Sequence, residues 1–379
     1  MTLRRTYLDH NATSPLRPEA RAAMLSAMEL CGNPSSVHAE GRRARAIIET
    51  AREQVAALVN AKPLEVVFTS GATEANAWVI GAGSWDTILS SGIEHDSVRG
   101  PIAASAAVSL PLGVSMSGVI AVADIARFAL SDARSSRRTL VALQMANNET
   151  GVLQPVAEVA AFAREHGLVL HTDAVQAAGK IAVDFKALDV DTLSLSAHKL
   201  GGPAGVGALI IRDGMKLGNL ITGGGQERRR RAGTENFVGI AGLGAAAEAA
   251  RAGISDGAHI ASLRDRLEAG IKAIAPGAAI IGADAPRLPN TTSVALPGQA
   301  AETLVIKLDL AGIAVSAGAA CSSGKVGVSH VLAAMGLGPE IASSAIRVSL
   351  GWNTSETDVA AFLETWARVA RPRESRAVA

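Results

Sequence analysis

Cysteine is almost absent from this 379-residue chain: there are two, Cys31 and Cys321, far apart. That excludes a disulfide framework and the close spacing of a thiolate metal site. No charge of one sign dominates, with 36 Lys and Arg against 35 Asp and Glu. The chain therefore carries no strong field that would draw in nucleic acid or a membrane surface. It has no apolar run of about 18 residues, so no membrane-spanning helix is expected. The segment Met1–Asp9 lacks the apolar core of a signal peptide, and a cytoplasmic protein is the expectation. Fixed-period repeats are missing as well, which rules out a solenoid.

What is present is an alternation of short apolar runs with helical stretches. The pattern predicts strands at Glu65–Thr69, Thr87–Ser90, Leu140–Gln144, Leu168–Thr172, Thr192–Ser196 and Val206–Ile211. Helices are expected at Pro18–Glu29, Arg42–Val59, Thr73–Ile80, Pro155–His166 and Phe237–Arg251. From about Ala252 the pattern changes to a helix near Ser262–Ile274 and strands near Ala279–Ile281 and Thr291–Ala295. A helix at Ala301–Ala311, a Gly/Ala/Ser-rich loop around Cys321, a strand at Ala345–Leu350 and a helix at Glu356–Val369 complete it. The fold class is α/β: a large domain over residues 14–251 with a mostly parallel central sheet flanked by helices. Residues 1–13 and 252–379 form a smaller α+β domain carrying the cysteine loop.

The chemistry concentrates where strands end. The run Thr192–Ser196 gives way to Ala197-His198-Lys199-Leu200-Gly201-Gly202. A lysine at such a junction can face a cleft, where desolvation turns its amine into a nucleophile that forms a Schiff base. One strand earlier, Leu168–Thr172 runs into Asp173-Ala174-Val175-Gln176. Ligands of open α/β sheets bind outside the carboxyl ends of the strands. A lysine to hold an aldehyde and an aspartate to keep a pyridine nitrogen protonated are what pyridoxal 5'-phosphate requires. The plainer alternative is an Asp capping the next helix and a Lys in a surface turn. Ser70-Gly71-Ala72-Thr73-Glu74 joins a strand to a helix and can cradle a phosphate or simply cap that helix. Glu94-His95 offers a flat imidazole, and Asn147-Asn148-Glu149-Thr150-Gly151 an amide or merely a turn.

Taken together and in order, these segments resemble the cysteine desulfurases of the NifS/IscS type, fold-type-I pyridoxal phosphate enzymes of the class V aminotransferase family. The likeness includes Tyr7-Leu8-Asp9-His10-Asn11-Ala12-Thr13, Gly32-Asn33-Pro34-Ser35-Ser36, Gly223-Gly224-Gly225-Gln226-Glu227-Arg228 and Gly233-Thr234-Glu235-Asn236. It continues through Cys321-Ser322-Ser323-Gly324 and Ser343-Ser344-Ala345-Ile346-Arg347, and so spans nearly the whole chain. The resemblance implies Lys199 as the Schiff-base lysine, Asp173 on the pyridine nitrogen and Gln176 on the phenolic oxygen. It implies His95 stacked on the ring and taking part in catalysis. Thr73, Ser196 and His198 would bind the phosphate, with Thr234 contributed by a second subunit of a homodimer. Asn148 and Arg347 would hold the carboxylate of L-cysteine, Arg347 as a bidentate clamp.

Cys321 would then take sulfur from L-cysteine as a persulfide, release L-alanine, and hand the sulfur to an acceptor protein, an iron–sulfur scaffold or another thiol carrier. Its neighbours Val315–Lys325 carry almost no bulk, which predicts a loop and an accessible nucleophile. Cys31, just past a helix end, reads instead as a buried, inert thiol. The chain departs from many relatives in having Ala317-Gly318-Ala319-Ala320 before Cys321, without their hydroxyls, and in lacking a lysine in Gly201–Gly205. Arg228–Arg231 is a solvated basic face or a border of the neighbouring subunit's phosphate site. Gly233–Asn236 is closer to the nitrogen-fixation branch. A selenocysteine lyase or an aminotransferase on the same scaffold is the alternative reaction; a non-catalytic assembly scaffold would not need Lys199, Asp173, Arg347 and Cys321 together.

Overall fold

The computed structural model describes residues 5–130, 138–318 and 329–370. The chain opens with β1 (Thr6–Tyr7), α1 (Pro18–Met28) and α2 (Ala39–Leu58). There follow β2 (Val66–Thr69), α3 (Ala72–Ala82), β3 (Thr87–Ser91), α4 (Asp96–Ala104), β4 (Val108–Leu112) and α5 (Val122–Ala129). Next come β5 (Thr139–Gln144), α6 (Val156–Glu165), β6 (Val169–Asp173), α7 (Phe185–Leu188), β7 (Thr192–Ser196), α8 (Ala197–Leu200) and β8 (Gly207–Ile211). Two long helices, α9 (Phe237–Ala252) and α10 (Gly257–Ile274), lead to β9 (Ala279–Ile281), β10 (Thr291–Ala295) and α11 (Ala301–Leu310). The remainder is β11 (Ile313–Ala314), β12 (Ser316–Ala317), α12 (His330–Ala334), α13 (Pro339–Ser344), β13 (Ala345–Ser349) and α14 (Glu356–Val369).

Seven strands form the central sheet in the order β2-β8-β7-β6-β5-β3-β4. All neighbours run parallel except those involving β8, which is antiparallel to both β2 and β7. Both faces are buried, and the period-2 alternation of side chains distributes each strand between two cores. Leu89, Val141, Leu143 and Leu193 pack on the face covered by α2, α6 and α9. Ile88, Leu140, Leu209 and Ile211 pack on the other, against Trp78 of α3 and Ile102 of α4. Each such buried aliphatic side chain contributes about 1.5–3 kcal/mol. A third core joins Leu8, Leu267, Leu304, Ile346, Phe362 and Trp366, under the four-stranded sheet β12-β13-β10-β9.

The expected elements are present, with ends moved by a few residues. Helix α2 starts three residues early because His38 caps it, accepting from the Gly41 N–H. Strand β4 and helices α4 and α5 were not anticipated. β4 is an edge strand containing Pro111 and mostly exposed, so it lacks an apolar signal. Part of the Gly/Ala/Ser run is strand rather than loop: Ser316 and Ala317 pair with Arg347 and Ile346. The helical stretch Phe237–Ile274 is long and apolar enough to cross a membrane by length and composition. In this fold those residues serve packing, with α9 lying on α1 and α2. A Cβ at Gly244 would sit 2.6 Å from the Ala51 Cα, so the glycine permits the α2–α9 approach.

Candidate active site

Strands β5, β6 and β7 end together. Gln144 is in register with Asp173, and Asp173 with Ser194. Beyond these carboxyl ends opens a cleft of about 400 Å³. Its walls bring together Thr73, His95, Asn148, Asp173, Gln176, Ser196, His198, Lys199 and Arg347.

Lys199 follows β7 directly, on the four-residue helix α8. Its Nζ donates to the main-chain carbonyls of Asn11 and, at 2.8 Å, Ala12, so the loop after β1 sets the position of the amine. The neighbouring His198 imidazole is pushed down to about 4 by partial burial and by the charge of Lys199, and is neutral at physiological pH.

Asp173 fits both readings of its position. Its Oδ1 accepts from the Val175 N–H at 3.0 Å, as a capping residue would, while Oδ2 accepts from Asn76 Nδ2 at 2.8 Å. Asn76 is held in turn by His171, whose Nε2 lies 2.9 Å from Asn76 Oδ1 and whose Nδ1 lies 2.8 Å from Thr192 Oγ1. Burial pushes His171 down to about 4, so it is neutral and can donate from Nε2. That orients the Asn76 amide to give both N–H bonds, one to Asp173 and one to Ser97 Oγ. Ser97 passes the order on, its N–H donating to His95 Nδ1 at 3.1 Å. Asn76 and His171 were missed from sequence. The available signal was the two-residue spacing of His171 and Asp173, which sets both on one face of β6.

At the opposite wall, Gly71 begins α3 with no side-chain cap, leaving the helix N-terminus open beside Thr73. Glu74 is held by Arg231 at 2.9 Å and by the Ser70 N–H at 2.8 Å. Arg347, on β13, donates to Asp9 Oδ1 at 2.8 Å and to the Asn148 carbonyl at 3.0 Å. Its Nε is buried without a hydrogen-bond partner among the described residues. Such a donor is costly unless a ligand oxygen satisfies it.

The class-V aminotransferase family profile matches residues 6–362. A cysteine desulfurase of Cereibacter sphaeroides is 44% identical over 96% of this chain and 95% of its own length. The cysteine desulfurase IscS of Clostridium botulinum (strain Hall) is 37% identical over 98% and 95%. The chain belongs to the cysteine desulfurases of this family. Among solved structures, a NifS-like protein from Rickettsia africae superposes with a TM-score of 0.89 at 36% identity, covering 96% of this chain and 99% of that one. SspA in complex with cysteine gives 0.78 at 30%, over 91% and 98%. For a cysteine desulfurase the fold is as expected, a fold-type-I α/β enzyme.

One expected site residue is not in the cleft, and another, Cys321, lies outside the described residues. The residues on either side of that gap, Gly318 and Ser329, both adjoin Glu149, next to Asn148: Ser329 Oγ donates to Glu149 Oε2 at 2.6 Å. Thr234 is exposed and lines a separate small groove with Ser70, Glu227 and Arg231. Cys31, expected buried, is exposed beyond the end of α1.

The donor set suits pyridoxal phosphate: an uncapped helix N-terminus for the phosphate, an oriented carboxylate for the ring nitrogen and a primary amine for the aldehyde.

Proposed function

We propose that this desulfurase holds pyridoxal 5'-phosphate through Lys199 and converts L-cysteine to L-alanine, the sulfur passing to Cys321 as a persulfide. The observation carrying the reading is the convergence of Lys199, Asp173 and Arg347 on one cleft. When bound, the cofactor supplies a protonated pyridine ring that stabilises negative charge at the substrate α-carbon. Asp173, held by Asn76, would keep the proton on the ring nitrogen. Thr73, Ser196 and His198 would hold the phosphate, and Gln176 would donate to the phenolic oxygen. His95, held by Ser97, would be available to the ring.

Arg347 and Asn148 orient the substrate carboxylate, and the anchors on Asp9 and the Asn148 carbonyl keep the guanidinium from turning. Lys199 removes the α-proton and later returns one. The Cys321 thiolate attacks the substrate sulfur; the carbon–sulfur bond breaks, its electron pair stays on carbon, and protonation gives alanine. The acceptor that then takes the sulfur is a thiol carrier or an iron–sulfur scaffold protein. The family relationship supports a cytoplasmic homodimer in which Thr234, outside the lining of its own chain's cleft, serves the partner's phosphate site.

The test is alanine release from L-cysteine under reductant, comparing wild type with Cys321→Ala. Alanine from the wild type and almost none from the variant is expected. Equal release would remove Cys321 from the mechanism and favour a lyase that eliminates without thiol attack.

A further inference from the structure

Beside Lys199 lies a second lysine that the mechanism above does not use. Lys180 is half-buried, and among the described residues no carboxylate forms an ion pair with it. Its Nζ donates to Gln176 Oε1 at 2.7 Å and to Asn11 Oδ1 at 2.8 Å. An ammonium has only donors, so the Gln176 atom facing it must be the oxygen. The amide nitrogen of Gln176 is thereby left on the other side, where it donates to the Asn11 carbonyl at 3.0 Å. That same carbonyl accepts from Lys199. Asn290 Nδ2 donates to Asn11 Oδ1 at 3.0 Å, completing the hold on Asn11.

We propose that Lys180 is a positioning residue for the desulfurase reaction: it locks the Gln176 amide with its nitrogen toward the cleft and holds Asn11 against the Lys199 amine. The proposal rests on the reading above, in which Gln176 meets the phenolic oxygen of the cofactor. Without Lys180 only the Asn11 carbonyl would hold the Gln176 amide, from its nitrogen end, and the oxygen end would lose its donor. Lys199 on α8 and Arg347 on β13 add positive charge beside Lys180, and with burial they push its ammonium well below its ordinary range.

The test is a pH titration of the holoenzyme's visible cofactor absorbance, without substrate. A donor to the phenolic oxygen stabilises the deprotonated chromophore, whereas a bare charge at position 180 would act whether or not Gln176 is present. Lys180→Met should therefore raise the titration midpoint by about one pH unit, while Lys180→Arg keeps it near wild type. Gln176→Leu should raise it similarly, and the double variant Lys180→Met/Gln176→Leu should shift it no further than Gln176→Leu, because Lys180 acts through Gln176. Lys180→Gln covers the case in which the methionine variant does not fold. It is uncharged and cannot dictate which end of Gln176 it faces, so it too should raise the midpoint. An unchanged midpoint in both uncharged Lys180 variants, with Gln176→Leu shifted, would overturn the proposal and leave the site reading intact. No shift in Gln176→Leu would instead overturn the assignment of Gln176 to the cofactor.

Discussion

Replacing Glu94 by Gln tests how the floor of the cleft controls its protons. Glu94 is wholly enclosed. Burial, aided by the charge of Asp173, pushes its carboxyl up to about 8, despite the Gln144 N–H at 2.9 Å and the Ser91 hydroxyl at 2.8 Å. In the unfolded chain the same group ionises near its ordinary value of 4.5. Because the folded value is the higher one, the stability it contributes is complete below about pH 4.5 and is lost as pH rises toward 8. Each unit in that window costs about 1.4 kcal/mol, which sets a ceiling of about 5 kcal/mol for the whole span, reduced in practice by water entry and relaxation. For a chain of this length the ceiling corresponds to about 6 °C in Tm. Glutamine reproduces the protonated acid: its oxygen accepts from Gln144 and its amide donates to Ser91. The assay is Tm of cofactor-free wild type and Glu94→Gln from pH 5 to 9. The variant should match wild type near pH 5 and exceed it by several degrees at pH 9. Glu149, raised to about 7 by burial, titrates equally in both proteins and cancels. Parallel Tm curves across the range would refute proton retention by Glu94.

Two further substitutions probe the frame of the site. A Cβ at Gly207 would lie 2.6 Å from the Leu195 carbonyl oxygen and 2.7 Å from Gly71 Cα, both backbone atoms that cannot swing aside. Gly207→Ala should therefore displace the turn before α3 and weaken pyridoxal phosphate binding by at least about tenfold, or 1.4 kcal/mol, in a fluorescence titration; unchanged affinity would remove that turn from the phosphate site. Glu227 accepts from Arg52 Nη1 and Nη2 at 2.8 and 2.9 Å and from the Phe68 N–H at 2.9 Å, tying the Gly223–Asn236 segment to β2. Glu227→Leu should cost up to about 3–5 kcal/mol in urea unfolding by leaving the buried Arg52 charge with only the partly exposed Glu49 as partner, and Arg52→Met added to it should recover part of the loss. A cost below about 1 kcal/mol would mean that water reaches Arg52.

The parts of this enzyme legible in its sequence are those whose signal is local. Strands β5, β6 and β7 are short apolar runs bounded by polar residues, and Asp173 and Lys199 stand at their ends, where sheet geometry alone places ligands. The partners that make those residues effective are set by tertiary contacts and leave no such trace. Asn76 orients Asp173 from 97 positions away, and Asn11 receives Lys199 across 188. In the sequence each is one more asparagine near a turn. Lys180 is the sharper case. A lysine three residues beyond Ala177 reads as a solvated charge, and only the tertiary fold reveals an amine held between the Gln176 and Asn11 side-chain amides. Local pattern therefore identifies the groups that do the chemistry, while the polar network that orients them and sets their proton affinities emerges only when distant segments meet. That division is why the informative substitutions here are at Lys180, Glu94 and Gly207, residues to which the motifs assigned no role.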